Sequence, residues 1–521
     1  MVEPKSKQAR QDVILSGSEL STFVRTAVDA VEAIDVHTHL FPGQHGALLL
    51  WGIDELLTYH YLVSEMFMVA PSEVTHEAFF ALPKTKQADL VWKHLFLERS
   101  PLSEAQVGVL TCLQKLGLGN LVATKDLSKI RAWFAEQDPL KHTSKVFELA
   151  NLKYVVMTNI PFDAQEADCW VKPGAKIDES SSSFSEDDKI IQQSFCESRF
   201  KTALRIDPLL KGDWATIANS LRARGLPETI EGTKAFLRAW AKVYKAEYMM
   251  ASTPGDFVYG DADEPRQEGW PTATKLINEA MVPVAEELGL PLALKLGAKR
   301  GMNPGLNPCG GGDGVMIADV APLEELCRNC PRVKFLATFL SRVNQHEVCV
   351  LAQKFRNLHL YGCWWYCNNP SIIEEMTKMR VEMLGTAFTA QHSDARVLDQ
   401  LVYKWSHSRA VIAEVLVKQY QLLQSKGWPV TKSDVQRDVN RLFGGSYEEF
   451  MAKDLSGVSD PKNGVVPSSA ASAAGVAAAA PPPPGIAAAD MPKRRNNKAF
   501  KALCRDFARY CAPGTAGCGC C

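Results

Sequence analysis

The sequence predicts an α/β protein: a distorted (β/α)8 TIM barrel with a helical insertion after strand one and a disordered C-terminal tail. Three observations predict it. Short apolar runs recur between residues 152 and 391, each ending near polar residues and separated from the next by helical periodicity. That alternation is the signature of a parallel sheet wrapped in helices. One more apolar run near the N-terminus raises the count to eight. Beyond residue 456 the composition collapses into Ala, Pro, Ser and Gly, too poor in apolar surface to build a core.

Strand one lies within Glu32 to Phe41, reading EAIDVHTHLF. Its apolar run (Ala33, Ile34, Val36) is broken by His37 and His39. Alternate residues of a strand face the same side, so the two imidazoles point one way and Thr38 the other. Neutral imidazole is a common ligand for a divalent metal. The plainer reading is two surface histidines, or one packed and one solvated. Asp35 before the pair and the loop after it favour the metal.

From residue 43 to 150 only helical spacing is found. Asp54–Met68, Lys86–Glu98, Ser103–Leu116, Lys125–Glu136 and Leu140–Leu149 each carry apolar residues three and four apart. The remaining strands are then Leu152–Thr158, Thr202–Ile206, Glu247–Ser252, Pro291–Leu296, Val333–Thr338, Leu358–Cys363 and Gly385–Gln391. Residues 178–188 (DESSSSFSEDD) read as a solvated excursion. Residues 301–314 (GMNPGLNPCGGGDG) read either as a loop folding over a ligand or as mere connection. The domain plan is a leader over 1–30 that is frayed to residue 20 and helical from 21, a barrel over 31–455 with its insertion at 43–150, a linker over 456–495, and a basic, cysteine-rich tail over 496–521. That tail is read as unstructured; lipidation of its cysteines is the lesser alternative.

Charge excludes one function class. Lys and Arg number 58 against 59 Asp and Glu, which argues against a nucleic-acid partner. No run of eighteen apolar residues predicts a transmembrane helix. The N-terminus lacks a secretory apolar core, so the expected compartment is cytoplasmic, where the nine cysteines of the main body are free thiols. Cys327 and Cys330, or Cys363 and Cys367, fall short of the four ligands of a structural zinc site. Oligomeric state is left open, a homo-oligomer included.

In a parallel barrel the active site lies at the C-terminal strand ends. Those ends offer His37 and His39, Arg205, Lys295, Trp364 and Trp365, and finally Gln391 to Asp394 with Arg396. Barrel closure makes strands one and eight neighbours, so Asp394 can meet the two histidines. Two imidazoles and a carboxylate form a three-ligand set with positions left for water or substrate. Taken singly, Asp394 is a helix N-cap and Arg205 a partner for Asp207.

DVHTHLF at strand one, HYL at 60–62, GCWW at 362–365 and SDAR at 393–396, in this order, resemble the uronate isomerase (glucuronate isomerase) family of the amidohydrolase superfamily, over residues 30 to 450. The resemblance implies one divalent metal, zinc by expectation, and interconversion of a hexuronate with its keto form, such as D-glucuronate with D-fructuronate. The partner is thus a small sugar acid. It implies His37, His39 and Asp394 as metal ligands; Asp394, Arg396 and Tyr61 as catalytic; and Arg205, Trp365, His60 and Lys295 as substrate-binding. The departures mark a divergent branch: Tyr59 precedes His60, Ser64 and Glu65 follow, and Lys295 replaces the usual histidine of strand five. Lys295 also motivates a rival reading. A carbamylated lysine can bridge two metals in superfamily hydrolases of lactones, esters or amides. A non-catalytic descendant is the other alternative.

Overall fold

A computed structural model describes residues 13–190 and 199–458. The chain divides into a first unit, 1–464, and a second, 465–521. The second unit, most of the predicted linker and the whole basic tail lie outside the described residues, as does the start of the leader.

Seven parallel strands form one curled sheet in sequence order. They are β1 (Ala33–Asp35), β2 (Leu152–Asn159), β3 (Phe200–Arg205), β4 (Tyr248–Ser252), β5 (Leu292–Leu296), β6 (Phe335–Phe339) and β7 (Leu358–Leu360). Every residue of β4, β5 and β6 is buried, because helices cover one face and the barrel interior the other. Alternate residues fill that interior: Tyr154 and Val156, Ala203, Tyr248 and Met250, Ala293. Tyr447 and Phe450 of the helix Ser446–Ala452 join the same cluster. Two residues further along the strands the period-two pattern turns polar, with Thr158, Arg205, Ser252 and Lys295. The register sets Ser252, Lys295 and Thr338 side by side.

The expected eighth strand is reduced to one bridge between Tyr361 and Thr389. The donor on its other edge is diverted: Thr389 pairs with β7, while the Ala390 N–H, which points the opposite way, bonds to the Leu442 carbonyl rather than to β1. The ring closes instead through loop hydrogen bonds, from Asp394 N–H to His37 O (3.2 Å) and from His39 N–H to Ala395 O (2.7 Å). β1 is also shorter than expected and ends at Asp35, so both histidines follow it in extended chain.

Three further expectations are corrected. The first helix begins at Gly17, earlier than residue 21, and buries Leu20, Val24, Ala27 and Val28 on one stripe. The helix expected over Asp54–Met68 is two, Ile53–Leu57 and His60–Val69, because the Thr58 hydroxyl bonds back to the Asp54 carbonyl at 2.7 Å and Tyr59 turns extended. Residues 178–188 hold part of an antiparallel hairpin, Ile177–Asp178 with Ser183–Phe184, pinned by Phe184 against the Trp240 ring 5.1 Å away. Among the described residues no helix is long and apolar enough to cross a membrane.

Candidate active site

The site begins with a buried carboxylate that joins two parts of the chain. Asp35 Oδ1 accepts the Ser393 N–H (3.0 Å) and the His37 N–H (3.5 Å), and its Oδ2 accepts the Trp405 indole N–H (2.8 Å). One side chain thereby ties the end of β1 to the loop that carries Asp394, 358 residues away in sequence. Burial pushes the Asp35 carboxyl up to about 6, against the pull of those hydrogen bonds.

That loop turns sharply. Asp394 has φ of +52°, in the left-handed region, and Trp365 across the cavity has +48°. Non-glycine residues pay a steric cost there, and such residues cluster at functional sites. The turn aims Asp394 Oδ1 at the histidines: 3.1 Å from His37 Nε2 and 3.5 Å from His39 Nε2. The two rings stand edge to face with centroids 5.1 Å apart. These three side chains are the one group among the described residues whose ligand atoms converge tightly enough to hold a metal ion. The donor set, two neutral imidazoles and a carboxylate, suits a divalent cation.

A fourth side chain enters the group. Lys295 Nζ lies 2.7 Å from Asp394 Oδ1 and 2.6 Å from His37 Nε2, and 4.7 Å above the Trp364 ring. Burial lowers the Lys295 ammonium to about 8 even though Asp394 pulls the other way. Burial, then the Lys295 charge, bring His37 down to about 4. Burial holds His39 well below its ordinary value too. Burial alone would raise Asp394, but Lys295 and the hydrogen bonds from both histidines hold it well below the usual carboxylate range.

Above the group opens a cavity of about 160 Å³. Of the predicted residues, His39, His60, Arg205, Lys295, Trp365, Asp394 and Arg396 line it. His37 sits beneath, wholly buried. Tyr61 does not face the cavity: its hydroxyl is buried without a hydrogen-bond partner among the described residues, and Lys404 Nζ stands 5.6 Å over its ring. The wall takes Tyr59 instead, at the extended residue that precedes the helix His60–Val69. Burial raises the Tyr59 phenol far above its ordinary value, so it stays protonated. Arg205 is less free than expected. Its Nε and Nη2 are held by Asp207 at 3.1 and 2.8 Å, which leaves one edge of the guanidinium for a ligand. Arg396 makes no ion pair with any described residue.

Sequence reasoning missed Ser252, Arg300 and Asp313 on the cavity wall. Arg300 Nη1 pairs with Asp313, and its Nη2 donates to Ser252 Oγ. The signal lay in the Gly- and Pro-rich segment 301–314, which Arg300 precedes and which contributes Gly310 and Asp313 to the cavity wall. A larger cavity of about 450 Å³ lies at the start of β7, lined by Arg356, His359, Glu449 and Lys453 among others. The group that could hold a metal ion among the described residues is not in it, so size does not mark the site.

A uronate isomerase of known structure from Bacillus halodurans C-125 is 42% identical to this chain, with a TM-score of 0.74 and a match spanning 85% of this chain and 98% of the other. The chain belongs to the uronate isomerase family. The family's reaction class is aldose–ketose isomerisation, so the chain is an enzyme of that class. A uronate isomerase from Thermotoga maritima (14% identity, TM-score 0.63, covering 83% of this chain and 97% of its own) and a glucuronate isomerase from Caulobacter crescentus (15%, 0.60, 84% and 95%) share the fold. No protein-family model and no curated protein sequence matches.

Proposed function

We propose that this uronate isomerase family member interconverts an aldo-hexuronate with its keto form, of the D-glucuronate to D-fructuronate type, by moving a proton between adjacent carbons through an enediol. The observation that carries the reading is the meeting of His37, His39 and Asp394 beneath a cavity walled by Arg205, Arg300 and Arg396. Three guanidiniums around about 160 Å³ suit a small polar anion, since a guanidinium fork matches a carboxylate's two oxygens. His37, His39 and Asp394 would hold one divalent cation, zinc by our assignment, and that ion when bound supplies Lewis-acid polarisation of a carbonyl.

The chain's own residues do the rest. Arg396, with no ion pair among the described residues, meets the uronate carboxylate, and the free edge of the Asp207-anchored Arg205 shares it. Tyr59 takes the place that the resemblance implies for Tyr61, as a donor at a substrate oxygen. Asp394, kept ionised by Lys295 and facing the cavity, is the carboxylate to which we assign the hydroxyl proton. His60, brought down to about 3 by burial and by the Arg396 charge, is neutral and positions the sugar beside Trp365, whose ring centroid is 5.7 Å away.

The test is turnover of a hexuronate panel with zinc added, run in deuterated water, with lactones and amides alongside. The expected result is a keto-uronate carrying deuterium at the carbon that receives the transferred proton. Hydrolysis of a lactone or amide, with every hexuronate untouched, would overturn the reading.

A further inference from the structure

The strand-five lysine occupies the same lone pair that a metal needs. A neutral imidazole nitrogen without a proton carries a single lone pair, and it either accepts one hydrogen bond or coordinates one ion. His37 Nε2 is in contact with Lys295 Nζ at 2.6 Å. If Nζ donates to Nε2, the lone pair is used; if Nε2 carries the proton, it donates to Asp394 Oδ1 at 3.1 Å and no lone pair is left. In either tautomer that nitrogen is closed to a cation while the contact lasts. Asp394 Oδ1 is shared in the same way, with Nζ at 2.7 Å and His37 Nε2 at 3.1 Å. The lysine is 2% exposed, and its amine stands 4.7 Å over the Trp364 ring.

We propose that Lys295 and the divalent cation are alternative occupants of the His37–Asp394 pocket, and that Lys295 makes metal binding in this chain weak and exchangeable. The inference rests on the ligand set proposed above. Its consequence is a site that stays organised without metal. With the ion absent, Lys295 bridges His37 to Asp394 and keeps the loop of Asp394 closed on β1. When the ion enters, the lysine must break both contacts. Lys295 is therefore a positioning residue for the ligand set.

Zinc titration of the full chain, stripped with a chelator and read by a competing colorimetric chelator, tests this without reference to activity. Cobalt(II) absorption in the visible range reports whether histidine nitrogen has entered the coordination sphere. Lys295→Met should bind zinc at least tenfold more tightly than the parent, with one ion per chain and a stronger cobalt spectrum. Lys295→Gln, which keeps a donor for Asp394, should fall between the two and serves if the Met variant does not fold. Equal affinity of parent and variants overturns the proposal while leaving the ligand set intact. Weaker binding by both variants overturns it in the opposite sense, since the lysine would then be a ligand. If none of the three binds zinc, the ligand set itself falls and this inference with it; His39→Ala, expected to lose zinc in every background, marks that case.

Discussion

The Lys295–Asp394 pair invites a double-mutant cycle on stability, measured by urea unfolding in the presence of a chelator. Their side chains are 3% and 7% exposed and 2.7 Å apart. At that distance an effective dielectric of about 20 gives a gross attraction of about 6 kcal/mol, much of it cancelled by the desolvation of both charges. Losing the second partner costs less than losing the first, because the first loss already leaves the survivor buried and uncompensated. Lys295→Met strands a carboxylate between two uncharged imidazoles; Asp394→Asn strands an ammonium in the same interior as the Arg205 charge. Each single variant should lose about 3–5 kcal/mol. Asparagine is the apt replacement, since it tolerates the left-handed backbone that residue 394 adopts and so leaves the turn intact. The double variant should lose about 2–4 kcal/mol less than the two singles added. Additivity within about 0.5 kcal/mol would mean that the charges do not interact and that the site is wetter than it is drawn.

Four further outcomes follow from named contacts. Gly362 has φ of +63°, and a methyl there would stand 1.7 Å from His392 Nδ1, so Gly362→Ala should destabilise by about 2–5 kcal/mol in urea unfolding; a loss under about 1 kcal/mol would refute the packing. His359, buried against the Phe450 ring and bonded to Thr389, is pushed down to about 3 by burial. Between pH 7 and 5 the unfolded chain protonates this histidine and the folded chain does not, so stability falls as pH drops, by about 2 kcal/mol for this one group. His359→Phe should flatten that slope, and parallel profiles for parent and variant would exclude the assignment. His39→Ala should reduce zinc affinity by more than the ~10–100-fold that losing an outer-shell partner costs, read by chelator competition. Arg396→Met should lower kcat/KM on the preferred hexuronate about 10- to 150-fold, the size of one charge-assisted hydrogen bond, with the loss mainly in KM; unchanged kinetics would pass the carboxylate to Arg205 or Arg300.

Much of the site was legible before folding because its residues sit at strand ends, and strand ends are marked locally. A run such as LALKL stops its apolar alternation at Lys295; TALRI does so at Arg205. The two histidines announce themselves by their spacing. The misreadings share one cause. Tyr59 and Tyr61 flank the same histidine, and helical periodicity is blind to where a helix starts; the Thr58 back-bond moves the start and puts Tyr59 on the cavity wall. Gly385–Gln391 has the composition of a strand, but Leu442, far along the chain, takes its donor. DESSSSFSEDD looked solvated because one buried phenylalanine among eleven residues leaves little trace in composition.

The chain's order of apolar runs and their period of two are local properties, written between near neighbours. They are enough to specify a parallel sheet in sequence order and a polar layer one step above its apolar interior. The convergence is not local. That Asp35 reaches Ser393, that Asp394 turns left-handed toward His37, and that Lys295 arrives between them depend on ring closure across more than three hundred residues. Such contacts form only when the whole sheet has curled, because the entropy of bringing distant segments together is offset by packing that no short window contains.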